Sequence, residues 1–291
     1  MKIGLLDTDG HRFPNLALMK ISAWHKKQGD TVEWHMPFDH YDMVYKSKVF
    51  TFTPDVDVMN ADVVVHGGTG YDLDNKLPDE VEHIMPDYSL YNIADTAYGF
   101  LTRGCPRNCS FCIVSEKEGR CSTKVADILD WWNGQHNIEL LDPNLLACKD
   151  SIELINQLAI TKARVNINQG ADCRLLNEDN IYALNQVKIG MIHFAWDFMA
   201  QSNNVLRGLE MYAKLGAIQN ERNRRVYVLT NFDTTMEENL YRIYKLREMH
   251  YDPYVMIYDK DHAPLEIKRL GRWVNNKFIF RSCECFEDYK P

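Results

Sequence analysis

The segment Gly104-Cys-Pro-Arg-Asn-Cys-Ser-Phe-Cys112 places three cysteines, Cys105, Cys109 and Cys112, within eight residues. Thiolates are soft ligands, and three of them on one short loop predict a metal centre. Iron–sulfur cubes are usually held by four cysteines, so a triplet without a fourth cysteine at matching spacing would leave one iron open to another ligand. The C-x3-C-x2-C pattern therefore predicts a reactive metal site.

A closed zinc site is the alternative interpretation of this loop. A C-x3-C spacing also suits a zinc knuckle, and Cys121 or a histidine could complete the tetrahedron. Under this interpretation the protein is a non-catalytic zinc-binding interaction module. Substitution of Cys121 distinguishes the two interpretations, because only the zinc site needs it as a ligand.

Length and composition are those of an ordinary globular protein. The 291 residues, 45% of them apolar, are enough for one large domain or two modest ones with a buried core. The sequence has no apolar run of about 18 residues and no apolar leader segment, so we expect a cytoplasmic protein without a membrane span. Eight cysteines that include a tight triplet fit metal ligation in a reducing compartment better than a disulfide framework.

The charge balance disfavours nucleic acid as a general partner. The 41 acidic and 33 basic residues give a net charge of −8, which a phosphate backbone would repel. The basic runs Arg222-Asn-Arg-Arg225 and Lys268-Arg-Leu-Gly-Arg272 are typical of solvated turns or helix faces. A structured RNA could therefore bind only through a local basic patch.

Residues 1–94 predict a small Rossmann-like parallel sheet. An apolar strand over Lys2 to Asp7 is followed by helical spacing from Asn15 to Gln28, which Gly29 ends. Further strand-like segments are Thr31 to Trp34, Met43 to Phe52 and Asp62 to His66. The Pro- and Asp-rich stretch from Leu73 to Ala94 marks the boundary of this domain.

Residues 95–291 alternate strand and helix patterns at a spacing of roughly 30 residues, without a visible sequence repeat. The predicted strands are Tyr98 to Thr102, Ile138 to Leu141, Val165 to Asn168, Ile189 to Ala195, Arg225 to Leu229, Tyr254 to Tyr258 and a short one at Lys277 to Phe280. The predicted helices run from Ser122 or Thr123 to Trp132, from Asp150 or Ser151 to about Lys162, from Val205 to Leu215 and from Met236 to His250. We therefore expect an α/β domain whose ligand groups lie at the carboxyl ends of its strands.

The cysteine triplet carries a further signal in Phe111, the aromatic residue that directly precedes its last cysteine. With this residue the segment resembles the signature of the radical S-adenosylmethionine (radical SAM) superfamily. The resemblance implies a [4Fe-4S] cluster on Cys105, Cys109 and Cys112. It also implies that S-adenosylmethionine chelates the fourth iron and is cleaved reductively to a 5′-deoxyadenosyl radical. The resemblance further implies a partial (β/α)6 barrel over residues 95–291 and sensitivity to oxygen. It also implies an unidentified substrate and an electron donor such as a flavodoxin or ferredoxin.

Polar residues just after the predicted strands are the candidates for holding S-adenosylmethionine. The family commonly carries a Gly-Gly-Glu-like element after the second strand, where this chain reads Leu141-Asp142-Pro143-Asn144, so the match of Asp142 is chemical rather than literal. Arg174 can bind the methionine carboxylate bidentately, and Asp172 or Gln169 can bond ribose hydroxyls. By resemblance, Phe111 contacts the adenine. The full candidate set is Phe111, Asp142, Asn144, Gln169, Asp172, Arg174 and Asn231. Singly, the polar members could equally be loop caps or Asx turns.

The N-terminal region has a second resemblance, to cobalamin-binding domains. Its segments Asp9-Gly-His11-Arg-Phe-Pro14, Ser47-Lys-Val49 and Gly67-Gly68 are similar to the D-x-H-x-x-G, S-x-L and Gly-Gly motifs of that family, although Pro14 and Val49 depart from the pattern. The resemblance implies His11 as the cobalt ligand with Asp9 behind it, Ser47 and Gly67 as further contacts, and methyl transfer as one reaction class. The alternative is a scaffold without cobalamin, in which His11 caps the helix or contacts the substrate.

The remaining cysteines suggest no second metal site. A methylthiotransferase-like enzyme would need extra cluster cysteines before position 105, where the sequence has none. The pair Cys283-Glu-Cys285 cannot close a site by itself, so we interpret it as two unrelated thiols. In the radical SAM interpretation, Cys121, Cys148 and Cys173 are small buried side chains.

Overall fold

The alternating patterns of the sequence form an α/β structure in the computed structural model, which describes residues 1–290. Within this range the strands are β1 Lys2–Asp7, β2 Thr31–Trp34, β3 Tyr41–Ser47, β4 Ala61–Gly67, β5 Thr96–Gly99, β6 Thr102–Arg103, β7 Thr123–Lys124, β8 Asn137–Leu140, β9 Arg164–Ile167, β10 Ile189–Ala195, β11 Arg224–Thr230 and β12 Asp252–Ile257. The helices are α1 Leu16–Lys27, α2 Asp79–Glu82, α3 Val114–Lys117, α4 Ser151–Thr161, α5 Glu178–Asn185, α6 Ser202–Leu215, α7 Met236–Glu248, α8 Leu265–Asn275 and α9 Lys277–Ser282. No helix in residues 1–290 is both long enough and apolar enough to cross a bilayer.

The chain divides into two compact units. The N-terminal unit contains Met1–Gly99, Glu116–Glu118 and Ala126–Ile138, and the C-terminal unit contains Phe100–Ser115, Gly119–Val125 and the chain from Glu139 onward. The segments between residues 100 and 138 alternate between the units, so the chain crosses from one unit to the other several times.

The N-terminal unit is built on a parallel sheet with strand order β2-β1-β3-β4. Ile3 and Leu5 of β1 pack in one core with Leu18 and Met19 of α1. All four side chains are fully buried or nearly so, and each such burial stabilises the fold by about 1.5–3 kcal/mol. The Asn15 side chain caps α1 by accepting from the Leu18 N–H, which sets where the helix begins.

A second sheet has the strand order β12-β11-β10-β9-β8-β5, and the pairs from β9 to β12 are parallel. In chain order, α4, α5, α6 and α7 separate the successive strands from β8 to β12. Because each neighbouring strand is also the next strand in sequence, the carboxyl ends of these strands meet at one edge. Residues that follow the strands are therefore brought together there.

Two sequence predictions in the C-terminal half are wrong. No helix runs from Ser122 or Thr123 to Trp132, because Thr123–Lys124 pairs as β7 with β6 and only a 3-10 turn at Ile128–Asp130 follows. Lys277–Phe280 is helical rather than extended, because the Asn276 side chain accepts from two backbone N–H groups and starts α9. Helices α5 and α8 were not predicted at all.

Candidate metal centre

The cysteine loop follows β6 and is held at both ends by backbone hydrogen bonds. Gly104 begins the loop with a φ of +86°, which favours glycine, and the Cys105 N–H donates to the Gly119 carbonyl over 3.0 Å. At the other end the Cys112 N–H donates to the Cys109 carbonyl over 3.0 Å. The three thiols are therefore presented from one constrained loop.

The three cysteines of the loop are free thiols. Cys105 and Cys109 are half-buried and Cys112 is exposed. Burial raises the pKa of the Cys109 thiol, and the charges of Asp197, Cys112 and Cys105 add to this shift. Within residues 1–290, no three Cys, His, Asp or Glu side chains are grouped so that they could hold a metal ion. Metal ligation would require the thiols to turn toward one another and to lose their protons.

Asp142, a predicted S-adenosylmethionine contact, is bound to the backbone that leads into the cysteine loop. Its carboxylate accepts from the Leu101 N–H at 2.8 Å, the Thr102 N–H at 2.7 Å and the Thr102 hydroxyl at 2.6 Å. Burial raises the pKa of Asp142 to about 7, although these donors oppose the shift. With both oxygens occupied, Asp142 anchors this backbone to the end of β8.

Asn144, another predicted contact, touches the first cysteine. Its Nδ2 donates to the Sγ of Cys105 over 3.4 Å, and the residue is only 3% exposed. Its backbone carbonyl accepts from the Ser122 hydroxyl at 2.8 Å, which holds the residue in place. The Oδ1 atom is buried without a hydrogen-bond partner in the described part of the chain, a situation that costs about 1–3 kcal/mol. Asn144 therefore offers one donor to a cysteine sulfur and one vacant acceptor.

Asp172 bridges two arginines, in what we term the Arg–Asp–Arg group of Arg107, Asp172 and Arg174. Arg107 Nε donates to Asp172 Oδ2 at 2.6 Å, and Arg174 Nε and Nη2 donate to the two oxygens at 2.6 and 3.0 Å. Burial alone would raise the pKa of Asp172, but the bonds and charges of Arg174 and Arg107 outweigh it and lower the pKa. Two guanidinium groups against one carboxylate leave a net positive charge beside the loop.

Phe111 lies in an aromatic cluster at the carboxyl edge of the parallel sheet. Its ring centroid is 5.8 Å from that of Phe198 and 5.7 Å from that of Phe232, and Phe232 meets Tyr258 at 4.8 Å. Phe198, Phe232 and Tyr258 lie just beyond β10, β11 and β12 respectively. Aromatic pairs of this kind contribute about 0.5–1.5 kcal/mol each beyond their burial, so the cluster docks the cysteine loop on this edge.

Asp197 is a half-buried carboxylate whose charge acts on Cys109 and Arg174. Burial raises the pKa of Asp197 to about 6, although Arg242 and Arg174 oppose the shift. In the described part of the chain its carboxylate accepts no hydrogen bond from a neighbour. Burial therefore disfavours the charged form of this carboxyl group beside the loop.

Arg242, in α7, is a residue that the sequence interpretation missed. It is fully buried and donates to the carbonyls of Trp196, Asp197 and Leu229 at 2.7, 2.6 and 2.9 Å. Burial lowers the pKa of Arg242 to about 10. The sequence did carry a signal for Arg242, because it is a charged residue on the buried face of an amphipathic helix pattern, four residues before Leu246. Arg107, Phe198 and Phe232 were also missed.

Other predicted residues lie apart from these contacts. Gln169 is exposed, and its side chain forms no hydrogen bond within residues 1–290. Asn231 has a φ of +63° and donates from Nδ2 to the Tyr258 carbonyl at 2.8 Å, so it joins two strand ends. Cys148 and Cys173 are buried as predicted, but Cys121 is exposed, because it lies in the loop between Gly119 and β7.

The residues proposed for cobalamin lie at the carboxyl edge of the N-terminal sheet. The register places Ser47 beside Gly67, and His11 follows β1. The His11 ring stacks on Trp34 at a centroid distance of 4.0 Å. The Ser47 hydroxyl accepts from Asn15 Nδ2 at 2.8 Å.

Asp9 and the glycine pair have local structural partners. The Asp9 carboxylate accepts from the Val49 N–H at 2.5 Å and from the Thr53 hydroxyl, and no hydrogen bond joins it to His11 within residues 1–290. A Cβ at Gly68 would lie 2.3 Å from the Lys48 carbonyl oxygen. The glycine is therefore required for close packing against the segment that follows β3.

No protein-family model and no curated protein matches the sequence.

Proposed function

We propose that the protein is a radical SAM enzyme that binds a [4Fe-4S] cluster through Cys105, Cys109 and Cys112. The observation that carries the proposal is the set of contacts around the cysteine loop. A buried amide donates to the Cys105 sulfur, a net positive group lies beside Cys109, and the aromatic residue before Cys112 docks on the carboxyl edge of a parallel sheet. Each of these features suits a cluster with one open iron.

The donor set fits the cluster in its chemistry. Three sulfur ligands on one loop are what a site-differentiated cube needs, and an N–H donor to a ligand sulfur stabilises the negative charge of the reduced cluster. Because the free thiols are not grouped as a metal site, the proposal includes a rearrangement of the loop side chains on cluster binding. Exposed Cys112 is the thiol with the greatest freedom to turn.

The six-stranded sheet supports the finer proposal of a partial (β/α)6 barrel. Its strands from β8 to β12 are neighbours in chain order, with a helix between each strand and the next. Parallel strands in this arrangement place polar loop residues at one edge, where the cysteine loop also docks. A doubly wound sheet would instead reverse strand order at a switch point.

Several of the chain's own residues would bind and orient S-adenosylmethionine. The net positive charge of the Arg–Asp–Arg group suits the methionine carboxylate, and the vacant Oδ1 of Asn144 suits the methionine ammonium. Phe111 offers a ring face and edge to the adenine. When bound, the cluster and S-adenosylmethionine would supply reductive cleavage of a sulfonium bond and an organic radical.

Anaerobic reconstitution tests the proposal. We expect about four irons and four sulfides per chain, and release of 5′-deoxyadenosine when reductant and S-adenosylmethionine are added. Alanine at Cys105, Cys109 or Cys112 should abolish both results, whereas Cys121→Ala, the matched control in the same region, should leave both unchanged. A colourless protein that contains only zinc would overturn the proposal.

A zinc site remains the second candidate because of where Cys121 lies. It is exposed and follows Gly119, whose carbonyl is hydrogen-bonded to the Cys105 N–H, so the two cysteine segments run side by side. If zinc is bound, Cys121→Ser should release it, since tetrahedral structural sites need four ligands. Retention of stoichiometric metal in this variant would exclude the zinc site.

For the N-terminal sheet we propose a scaffold without cobalamin. The two polar groups that the motif would use are already engaged, Asp9 by the Val49 backbone and Ser47 by Asn15. Gly68 packs against the backbone rather than leaving space beside it. Cobalt analysis of protein produced anaerobically with cobalamin supplied tests this point, and stoichiometric cobalt that is lost in His11→Ala would contradict it.

A further inference from the structure

From β8 to β12, the two faces of the C-terminal sheet differ in their chemistry. Successive side chains of a strand point to opposite faces, so each strand contributes to both. One face is an apolar core with the fully buried side chains Ile138, Leu140, Val165, Ile192, Phe194 and Val226. The other face, which we term the polar face, carries Glu139, Asn166, His193, Arg225, Tyr227 and Asp252. Parallel strands that serve only as core are apolar on both faces, so the polar face is a candidate for binding.

The strand register brings part of the polar face into one row. His193 of β10 lies beside Arg225 of β11, and Arg225 lies beside Asp252 of β12. Arg225 Nε donates to Asp252 Oδ2 at 2.9 Å, and Lys277 Nζ lies 2.7 Å from Asp252 Oδ1. Both cations at this end of the row are therefore paired with Asp252.

Glu139 is a carboxylate of the polar face that has amide donors but no cation. Asn166 Nδ2 donates to Glu139 Oε1 at 2.7 Å, and Asn168 Nδ2 donates to Oε2. These bonds orient the carboxylate, and no ion pair reaches it within residues 1–290. Arg164 lies over Gly190 instead, because a Cβ at that glycine would be 2.3 Å from Arg164 Nε. Each carboxylate oxygen has two lone-pair sites, so Glu139 can accept from a ligand as well.

The His193 ring is held in one orientation and one tautomer. Its Nδ1 lies 2.8 Å from the Ile167 carbonyl, which can only accept, so the proton is on Nδ1. Burial lowers the pKa of His193, although the Ile167 carbonyl and the charge of Glu139 oppose the shift, so the imidazole is neutral at neutral pH. The residue is only 4% exposed, and in the described part of the chain no group donates to Nε2. His193 therefore presents a buried, vacant acceptor.

We propose that the polar face binds an amino alcohol, whose ammonium group pairs with Glu139 and whose hydroxyl group donates to Nε2 of His193. Glu139 is anionic and accepts, so the ligand group that meets it should be cationic and carry N–H donors. The group that meets His193 should donate but be neutral, because Arg225 lies in register beside it. A carboxylate or phosphate would find only acceptors at these two positions.

The separation of the two acceptors suits a short carbon chain. Glu139 lies on β8 and His193 on β10, with β9 between them. Neighbouring strands are about 4.8 Å apart, so the two backbones are about 10 Å apart and a ligand of a few carbon atoms can bridge the side chains between them. The Tyr227 ring stacks on His193 at a centroid distance of 5.0 Å and offers the carbon chain an apolar wall.

That this amino alcohol is the compound on which the radical acts rests on the proposed radical SAM function, whereas its binding does not. The polar face belongs to the sheet on whose carboxyl edge the cysteine loop docks through Phe111 and Phe232. Glu139 and His193 need no cluster to accept hydrogen bonds, so binding is measurable with and without reconstitution. Failure of amine binding and failure of cluster assembly are therefore separate results.

Nuclear magnetic resonance of the full chain with isotope-labelled histidine tests the proposal. At about pH 7, where the amine is protonated, 4-amino-1-butanol should shift the His193 signal saturably. We expect a dissociation constant about tenfold higher for 1,4-butanediol, which lacks the charge, and about threefold higher for n-butylamine, which lacks the hydroxyl. The His193 signal is identified by its absence in His193→Gln. No saturable shift, or equal dissociation constants for 4-amino-1-butanol and 1,4-butanediol, would overturn the proposal.

A charge removal locates the ammonium group. Glu139→Gln keeps the size of the side chain and removes its charge, so it should raise the dissociation constant of 4-amino-1-butanol about tenfold. Glu210→Gln, on an exposed position of α6, is the matched control and should leave it unchanged. Wild-type affinity in Glu139→Gln would overturn the assignment. If this variant fails to fold, the comparison of the three probes in the wild type decides, because it needs no variant.

Discussion

The side-chain amide of Asn144 donates to the sulfur of Cys105 over 3.4 Å, and the oxygen of the same amide is buried without a partner. One side chain thus meets a proposed cluster ligand and leaves an acceptor vacant. A buried, unpaired acceptor is uncommon in folded proteins and often marks the place of a ligand. Asn144 is therefore the most informative residue of the site after the cysteines.

Asn144→Ala should leave the iron content of the reconstituted protein unchanged and shift the cluster potential to more negative values. The N–H donor stabilises electron density on the sulfur, so its loss disfavours reduction. Potentiometric titration followed by electron paramagnetic resonance measures the shift. Ser115→Ala, which removes only a hydroxyl bound to Asn108 of the same loop, is the control. An unchanged potential in Asn144→Ala would show that the amide does not contact a cluster ligand.

Asp172→Asn should destabilise the folded protein at neutral pH. The pKa of Asp172 is lowered in the folded state, so its carboxylate stabilises the fold above an ordinary Asp pKa of about 3.9, and this contribution is lost as the pH falls through the lowered value. We expect a loss on the order of 1–3 kcal/mol at pH 7, because bonds to two arginines are weakened. Urea unfolding at a series of pH values should show the stabilities of the two proteins converging as the pH falls below the ordinary Asp pKa and through the lowered pKa of Asp172.

The strand pattern of the sequence predicted much of the fold because burial sets it locally. β2 and β10 lie at the predicted residues, and α1 begins and ends within a residue or two of its predicted limits, where Asn15 caps it and Gly29 follows it. Apolar runs with clear boundaries need no information from distant residues. The same holds for the cysteine loop, whose spacing is a local property.

Contacts between distant segments could not be predicted. Arg107 and Asp172 are 65 residues apart, and nothing in either segment identifies the other as its partner. The helix predicted after Cys121 was wrong for the same reason. The Val125 N–H donates to the Leu101 carbonyl at 2.8 Å, and Thr123 pairs with Arg103. Tertiary pairing overrode the local helical preference.

Asp197→Asn should stabilise the protein above about pH 6. The pKa of Asp197 is raised to about 6 in the folded state, so the folded protein holds a proton that the unfolded chain releases near pH 4. The wild type therefore loses stability as the pH rises from about 4 to 6, by on the order of 2 kcal/mol, and the neutral amide does not.

Urea unfolding of wild type and Asp197→Asn at pH 5 and pH 8 checks this expectation, because the variant's advantage should appear only at the higher pH. Asp233→Asn is the matched control, since Asp233 is an exposed carboxylate beyond the next strand with a φ of +47°, a conformation that Asn also adopts. A variant less stable than the wild type at pH 8 would contradict a raised pKa of Asp197 in the folded protein.

Gly208→Ala should destabilise the protein, although the same substitution inside an exposed helix is stabilising by roughly 0.5–1 kcal/mol. A Cβ at Gly208 would lie 1.9 Å from the Cys173 carbonyl oxygen, so α6 must move away from the 3-10 turn Cys173–Leu175. Overpacking of this kind costs about 1–3 kcal/mol, which exceeds the gain in helix propensity.

Arg174 lies in that turn, so the displacement should also weaken binding of S-adenosylmethionine to the reconstituted protein. Urea unfolding and equilibrium binding measure the two effects. Asn204→Ala, on an exposed position of the same helix, should change neither by more than about 0.5 kcal/mol. A Gly208→Ala variant as stable as the wild type would mean that α6 does not pack closely on this turn.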